Sequence, residues 1–298
     1  MKIIFLGTAC MIPTKERNHQ AILLTYKNEN ILFDCGENTQ RQLKIAGISP
    51  TKITKIFITH WHSDHILGLP GLLQTLAANN YQKTLEIYGP NKTKYFISQL
   101  FKTFILNTKL KISVHEIKRT GRVLEREGFS ISAQKLKHRN ISCLAYSFEE
   151  LSRRRININY IKHIGLPQGP LLGKLQKGQA IKYKGQVVSV NRATYSLKGK
   201  KLTIILDTEN CKECLQIAKD SDILISEATY SDNLKNKAKE YKHLTAKEAA
   251  LIAKKSNSKR LILTHFSQRY GDVKELEKEA KRYFKNTIAA RDFMVVNL

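Results

Sequence analysis

Four side chains able to bind a metal fall within six residues in the run His60-Trp61-His62-Ser63-Asp64-His65. They follow Ile56-Phe57-Ile58-Thr59, a β-prone segment, and apolar sequence resumes at Ile66. A strand ending at a histidine hands the next side chains to a turn. His60 and His62 can point the same way and grip one cation, while Asp64 and His65, one loop step later, reach a neighbouring ion. A single ion cannot comfortably use all four, so the run reads as half of a two-metal site.

The remaining ligands must come from elsewhere in the chain, and three positions share the placement of His60. His138 follows the alternating segment Ile131 to Lys137, Asp207 ends Leu202 to Leu206, and His265 ends Leu261 to Thr264. Strand ends on one edge of a layered sheet converge on a common place. Asp34 also ends an apolar strand and is suited to accept a hydrogen bond from a ligand imidazole. Lys15 and Arg17 lie in a polar loop after the first strand, and Ser267, Arg269 and Tyr270 follow His265. The three that follow His265 lie close enough to it in sequence to border the same site.

The elements that must position these residues alternate between strand and helix from Met1 onward, so one domain, residues 1–298, is the economical reading. Helices are expected at Leu69 to Ala78, Cys211 to Lys219, Ala246 to Lys255 and Val273 to Phe284. Thr245 and Glu248 fit a capping box on the third, and Asn210 offers a cap to the second. No apolar run approaches 18 residues, which argues against secretion or a membrane. Five cysteines, an odd number, fit a reducing cytoplasm. Cys211-Lys212-Glu213-Cys214 is a lone C-x-x-C, a weak metal or redox signal. His19 could line the site, His163 falls in a basic stretch, and His115 has no comparable context.

Lys and Arg number 51 against 25 acids, a formal charge of +26, and the excess is uneven. Between Leu151 and Leu206 there are twelve Lys and Arg and no acid, including Arg153, Arg154, Arg155, Lys174 and Lys177. Ordinary solvated faces mix both signs, so this stretch points to a polyanionic partner and against a small neutral substrate. Its Gly/Pro punctuation, Gly165 to Gly178, marks residues 150–198 as an insertion.

Taken together, Phe5-Leu6-Gly7-Thr8, Pro13 to Asn18, Ile31-Leu32-Phe33-Asp34-Cys35-Gly36-Glu37-Asn38-Thr39-Gln40, the His60 to His65 run and Ala290 to Met294 resemble the metallo-β-lactamase fold, and within it the ribonuclease Z family. The resemblance covers nearly the whole chain. It implies an α/β fold, a four-layer αββα sandwich with an inserted basic arm that grips tRNA. It implies two Zn2+ per subunit, with His60, His62 and His138 on one, Asp64, His65 and His265 on the other, and Asp207 bridging. Asp64 would also orient a metal-activated hydroxide for attack on the phosphodiester. His243, two residues before Thr245, would be the general acid, paired with Glu227 of Ser226-Glu227-Ala228-Thr229. The implied activity is zinc-dependent endonucleolytic removal of the 3′ trailer from precursor tRNA, leaving a 3′-hydroxyl at the discriminator nucleotide, by a cytoplasmic homodimer. Lys15, Arg17, Arg153, Arg154, Arg155, Lys174, Lys177 and Arg269 are the expected RNA contacts. Asn38, Leu206 and Ser226 depart from the family pattern, and none removes a ligand.

Overall fold

The computed structural model describes residues 1–106, 109–139 and 141–298. The chain divides into two compact units, one of residues 1–124, 131–148 and 201–298 and another of 125–130 and 149–200.

Two seven-stranded mixed sheets build the first unit. One runs in the order Val295–Asn297, Lys2–Gly7, Ala21–Tyr26, Glu29–Phe33, Lys55–Phe57, Thr84–Pro90, Lys111–Ile117. The other runs Thr287–Ala289, Leu261–Thr264, Ile223–Glu227, Lys201–Ile205, Ile141–Glu150, Phe129–His138, Gly121–Arg126. Central strands such as Lys2–Gly7 and Leu261–Thr264 are apolar along nearly their whole length because both faces of each sheet are covered. On the outer side of the first sheet, Leu43, Leu72, Leu73, Leu76 and Ile97 from three helices pack against Leu23, Leu32, Ile56 and Ile87. Outside the second, Ile217, Ala249, Ala253, Leu276 and Ala280 pack against Leu224, Leu261 and Leu263. Between the sheets, the Tyr146 ring meets Phe33 and Phe57 at 5.8 and 5.1 Å, and Phe148 meets Tyr26 at 5.2 Å. The layers are therefore helix, sheet, sheet, helix. Burying each such side chain contributes roughly 1.5–3 kcal/mol.

Parallel pairing sets the edge at which the candidate residues meet. Phe33 pairs with Phe57, so Asp34 and Thr59 leave the first sheet side by side. In the second sheet Ile205 pairs with Ser226 and Glu227 with Thr264, which brings the ends carrying Asp207, Glu227 and His265 together.

Several expected boundaries shift. The strand before the histidine run stops at Phe57, and Asp64 and His65 lie on a helical turn, Ser63–Ile66, rather than in a loop. His138 is the last residue of its strand instead of the residue after it. The helices Leu69–Ala78 and Ala246–Lys255 match the expectation, and Thr245 and Glu248 form the capping box. The other two are shorter, Lys212–Ala218 and Lys274–Lys281. Cys211 rather than Asn210 occupies the N-cap, with no side-chain cap bond, so the reading of Asn210 as a cap fails.

The second unit folds around its own core of Ile161, Leu166, Leu175, Ile181, Val188 and Ala193. Its strands Arg153–Ile156 and Thr194–Leu197 pair antiparallel, as do Ile181–Tyr183 and Gln186–Val188. Asn157 caps the helix Ile158–His163 by accepting from the Tyr160 amide. Glycine at 165, 169 and 178 supplies the positive φ these turns require.

Candidate metal centre

All seven expected ligands come together. His60, His62, His138 and Asp207 offer donor atoms within 4.8 Å of one another, and His65, Asp207 and His265 form a second such group. Asp207 belongs to both, with its two oxygens divided between them. Oδ2 faces His60 Nε2 at 3.6 Å and His138 Nε2 at 3.7 Å. Oδ1 faces His265 Nε2 at 3.1 Å and His65 Nε2 at 3.5 Å. Asp64 Oδ2 lies 3.5 Å from His65 Nε2 and 3.4 Å from His265 Nε2, and the Met11 amide donates to it at 2.8 Å.

Four of the five rings are oriented through the far nitrogen. His65 Nδ1 donates to Asp34 Oδ2 at 2.6 Å, and Asp34 also accepts the Thr59 amide and hydroxyl. With its proton spent on Asp34, the Thr59 oxygen accepts from His60 Nδ1 at 3.1 Å. His138 Nδ1 donates to the Lys242 carbonyl at 2.9 Å. The Thr229 hydroxyl donates to Glu227 Oε2 at 2.6 Å, which leaves its oxygen to accept from His265 Nδ1 at 3.1 Å. Each of these bonds holds its ring with Nε2 turned toward Asp207. Asp34 and His265 hold left-handed backbones, φ 56° and 59°, at a cost of roughly 1–2 kcal/mol each that the surrounding bonds must offset.

The buried atoms His60 Nε2, His65 Nε2, His265 Nε2 and Asp207 Oδ1 have no hydrogen-bond partner. Orphaned lone pairs converging on two carboxylates are costly unless a cation answers them. His138 Nε2 and His62 Nδ1 lie 3.3 Å apart, within hydrogen-bond reach of each other. Nitrogen and carboxylate donors in this arrangement fit divalent metal ions. The electrostatics divide the imidazoles: burial opposes charge on His65 and His265, but Asp64 and Asp207 outweigh it at the first and Asp207 at the second, raising both well above the usual histidine range. Burial, followed by the positive field of neighbouring imidazoles, pushes His60 well below the usual histidine range, while burial lowers His62 and His138. Neutral imidazole is the form that binds metal. Asp207 is held well below the usual carboxylate range: burial opposes its charge, and His265 and His65 overcome that.

Loop packing explains two motif residues. A Cβ on Gly68 would collide with the Gly36 carbonyl, and one on Gly36 would press on the Asp64 carbonyl at 2.5 Å, so both glycines let the ligand turn sit close. Asn38 adopts φ 66°, a conformation that suits glycine and that asparagine tolerates better than most residues.

Beside the ligands, His243 Nδ1 lies 3.2 and 3.1 Å from the two oxygens of fully buried Glu227, whose Oε1 also accepts the Thr208 amide at 2.8 Å. His243 also lines a cleft of about 190 Å³ with Arg139, Tyr230, Tyr241 and Arg269. Arg269 is exposed and stacks on Tyr230 at 5.0 Å, and Arg139 stacks on Tyr241 at 5.4 Å.

Of the expected phosphate contacts, Lys15 is exposed, as are Arg153, Arg155, Lys174 and Lys177 in the second unit, while Arg154 is half-buried with Nη1 3.4 Å from Thr194 Oγ1. Arg17 is a correction. Only 7% exposed, its Nη2 donates to the Tyr270 carbonyl at 2.7 Å and Nη1 reaches the Gly271 carbonyl at 3.5 Å, so it braces two loops. Tyr270 is buried too, its hydroxyl accepting the Ser231 amide, and its ring is not free to stack. His19 is buried, with Nε2 3.0 Å from the Met11 carbonyl. Sequence reading assigned no role to Thr229, whose only signal was its place two residues after Glu227, or to Asp292 of the Ala290 to Met294 motif, which accepts from Thr8 Oγ1, the Asn18 amide and Gln42 Nε2 and so ties three motifs to the helix Thr39–Ile45.

Two mixed sheets with helices outside, and a histidine and aspartate cluster at one edge, define a protein of the metallo-β-lactamase fold. A protein of that fold from Bacillus subtilis superposes with a TM-score of 0.72 over 99% of this chain and 98% of its own, at 19% identity, a likeness of fold alone. The chain belongs to the ribonuclease Z family: it is 38% identical over 299 residues to ribonuclease Z of Methanothermobacter thermautotrophicus, covering 100% of this chain and 97% of that one. It is 40% identical to ribonuclease Z of Lactococcus lactis, over 98% of each. The short form of human tRNase Z is 30% identical with a TM-score of 0.72, covering 100% of this chain and 99% of its own. The family model described as Anti-Pycsar protein Apyc1 matches residues 1–287.

Proposed function

We propose that this chain is a zinc-dependent endoribonuclease that removes the 3′ trailer of precursor tRNA, cutting beside the discriminator nucleotide and leaving a 3′-hydroxyl. The observation that carries the reading is the division of Asp207, one oxygen toward His60 and His138 and the other toward His65 and His265, in a chain with full-length ribonuclease Z relatives. Two zinc ions, one with His60, His62 and His138 and one with Asp64, His65 and His265, sharing Asp207, would supply a nucleophile from water at neutral pH and offset charge on the phosphoryl group.

The protein's own groups do the rest. Asp64, fixed by the Met11 amide, is placed to orient the attacking water. Glu227 holds His243 by Nδ1, leaving Nε2–H to protonate the departing 3′ oxygen, which is a poor leaving group as an alkoxide. Arg269 and Lys15 are the exposed cations of the first unit offered to the substrate backbone. Residues 150–198 act as an inserted RNA-binding arm on the single domain 1–298, with Arg153, Arg154, Arg155, Lys174 and Lys177 setting position rather than reading sequence. The working form is a cytoplasmic homodimer. No helix among the described residues is long and apolar enough to cross a membrane.

The test is cleavage of a trailer-bearing precursor tRNA by the zinc-loaded protein, with product ends mapped to the nucleotide and His65→Ala alongside. A single cut beside the discriminator, lost in the variant, is the expected result. Folded, metal-loaded protein that binds the tRNA and leaves it intact would replace this reading with an RNA-binding module.

A further inference from the structure

Cys10 ends the short strand Ala9–Cys10, which pairs in parallel with Phe266–Ser267 so that Cys10 stands opposite Ser267 and Ala9 opposite Phe266. The Phe266 amide donates to the Thr8 carbonyl at 2.8 Å, locking this pairing one residue beyond His265. On the other side, the Met11 amide donates to Asp64 Oδ2 at 2.8 Å. Cys10 is thus held between His265 and Asp64. Its sulfur, a His265 nitrogen and an Asp64 oxygen lie within 4.8 Å of one another. The thiol is free and 8% exposed, and His265 Nε2, fully buried beside it, has no hydrogen-bond partner. In the sequence Cys10 stood out only as one of an odd number of cysteines.

We propose that Cys10 is a metal ligand, its sulfur joining Asp64 and His265 about the second cation. The inference rests on the metal reading above and adds to it a soft donor among hard ones. On binding, the S–H bond breaks, a metal–sulfur bond forms, and the proton leaves to solvent, with no change of oxidation state. A thiolate favours zinc, cobalt and cadmium over manganese and magnesium, which prefer oxygen. Position 10 would therefore narrow the metals the second position accepts, independently of the seven expected ligands.

Cobalt(II) titrated into the metal-free full-length protein tests this optically, since a cobalt–thiolate bond adds a near-ultraviolet charge-transfer band. The expected result is a band in the unaltered chain that is absent from Cys10→Ser and from Cys10→Ala. It should persist in the double variant Cys211→Ser, Cys214→Ser, which removes the one other cysteine pair with metal-like spacing. Competition titrations should show cadmium affinity falling by about tenfold or more in Cys10→Ser while manganese affinity stays nearly constant. Cobalt bound without the band, or a band that survives in both Cys10 variants, overturns the assignment of Cys10 alone. Folded protein that binds no cobalt at all overturns the metal centre itself, and Cys10 with it. If Cys10→Ser fails to fold, Cys10→Ala, which places no new polar group in a nearly buried position, still decides between these results.

Discussion

His65 donates through Nδ1 to Asp34 at 2.6 Å, and neither side chain is exposed to solvent. Through Thr59 the same carboxylate also governs His60, because the Thr59 hydroxyl donates to Asp34 and its oxygen receives the His60 proton. One residue that touches neither cation position therefore aims an imidazole in each cluster. Asp34→Ala should weaken metal binding by about 10- to 100-fold with all seven ligands intact. Chelator competition on the purified variant measures this, and unchanged affinity would mean the rings keep their aim without Asp34.

A second prediction concerns the proton given to the leaving group. Burial disfavours charge on His243, but Glu227 and Asp207 outweigh it and raise its pKa above 6.5. A general acid with a raised pKa stays protonated to higher pH and fails as pH climbs through that value. Cleavage should thus decline on the alkaline side, and Glu227→Gln, which removes the charge but keeps an acceptor, should move the decline to lower pH. His243→Ala should lower kcat by about 10²- to 10⁴-fold with metal content unchanged. An alkaline limb indifferent to Glu227→Gln would separate His243 from the proton transfer.

The gathering of these seven side chains was legible in the sequence because metal chemistry restricts residue types and strand ends are marked by apolar runs stopping at His or Asp. The run at 60–65, Asp207 and His265 all carry that mark. Position along the chain says little about which cations remain in solvent. Lys15 and Arg17 look alike as letters, yet Lys15 is exposed and Arg17 is spent on two carbonyls more than 250 residues away. Thr229 was equally hidden, since its importance comes from standing at once within reach of Glu227, His243 and His265, a meeting of three separate strand ends and loops. Cys10 was hidden for the same reason, its neighbours being fixed by a two-residue strand pair that no periodicity announces.

Arg17 supplies a prediction of the opposite kind. Its guanidinium joins the turn at Thr14, where the Arg17 amide donates to Thr14 Oγ1 at 3.0 Å, to the loop that follows His265. Arg17→Ala should cost about 1.5–3 kcal/mol of stability, the range for hydrogen bonds from a charged donor, and lower the unfolding midpoint. The salt dependence of tRNA affinity should not change. A variant of full stability whose affinity falls and whose salt slope flattens would return Arg17 to the substrate contacts.

Arg155, Lys174 and Lys177 are exposed, and the stretch that carries them contains no acidic side chain to compensate them. Phosphate contacts of this kind release counterions, so affinity falls linearly on a logarithmic scale with salt, and each contact removed flattens the slope by roughly 1. The triple variant Arg155→Ala, Lys174→Ala, Lys177→Ala should therefore lose affinity for precursor tRNA at low salt, with a slope shallower by up to about 3. Its metal content and its rate on a bound substrate should be unchanged, because the small core of Ile161, Leu175 and Val188 that shapes this unit is untouched. Binding measured from low to moderate salt, beside single-turnover cleavage, separates the two effects. If the slope is unaltered while cleavage of bound tRNA slows, these cations act in the chemistry rather than in holding the RNA.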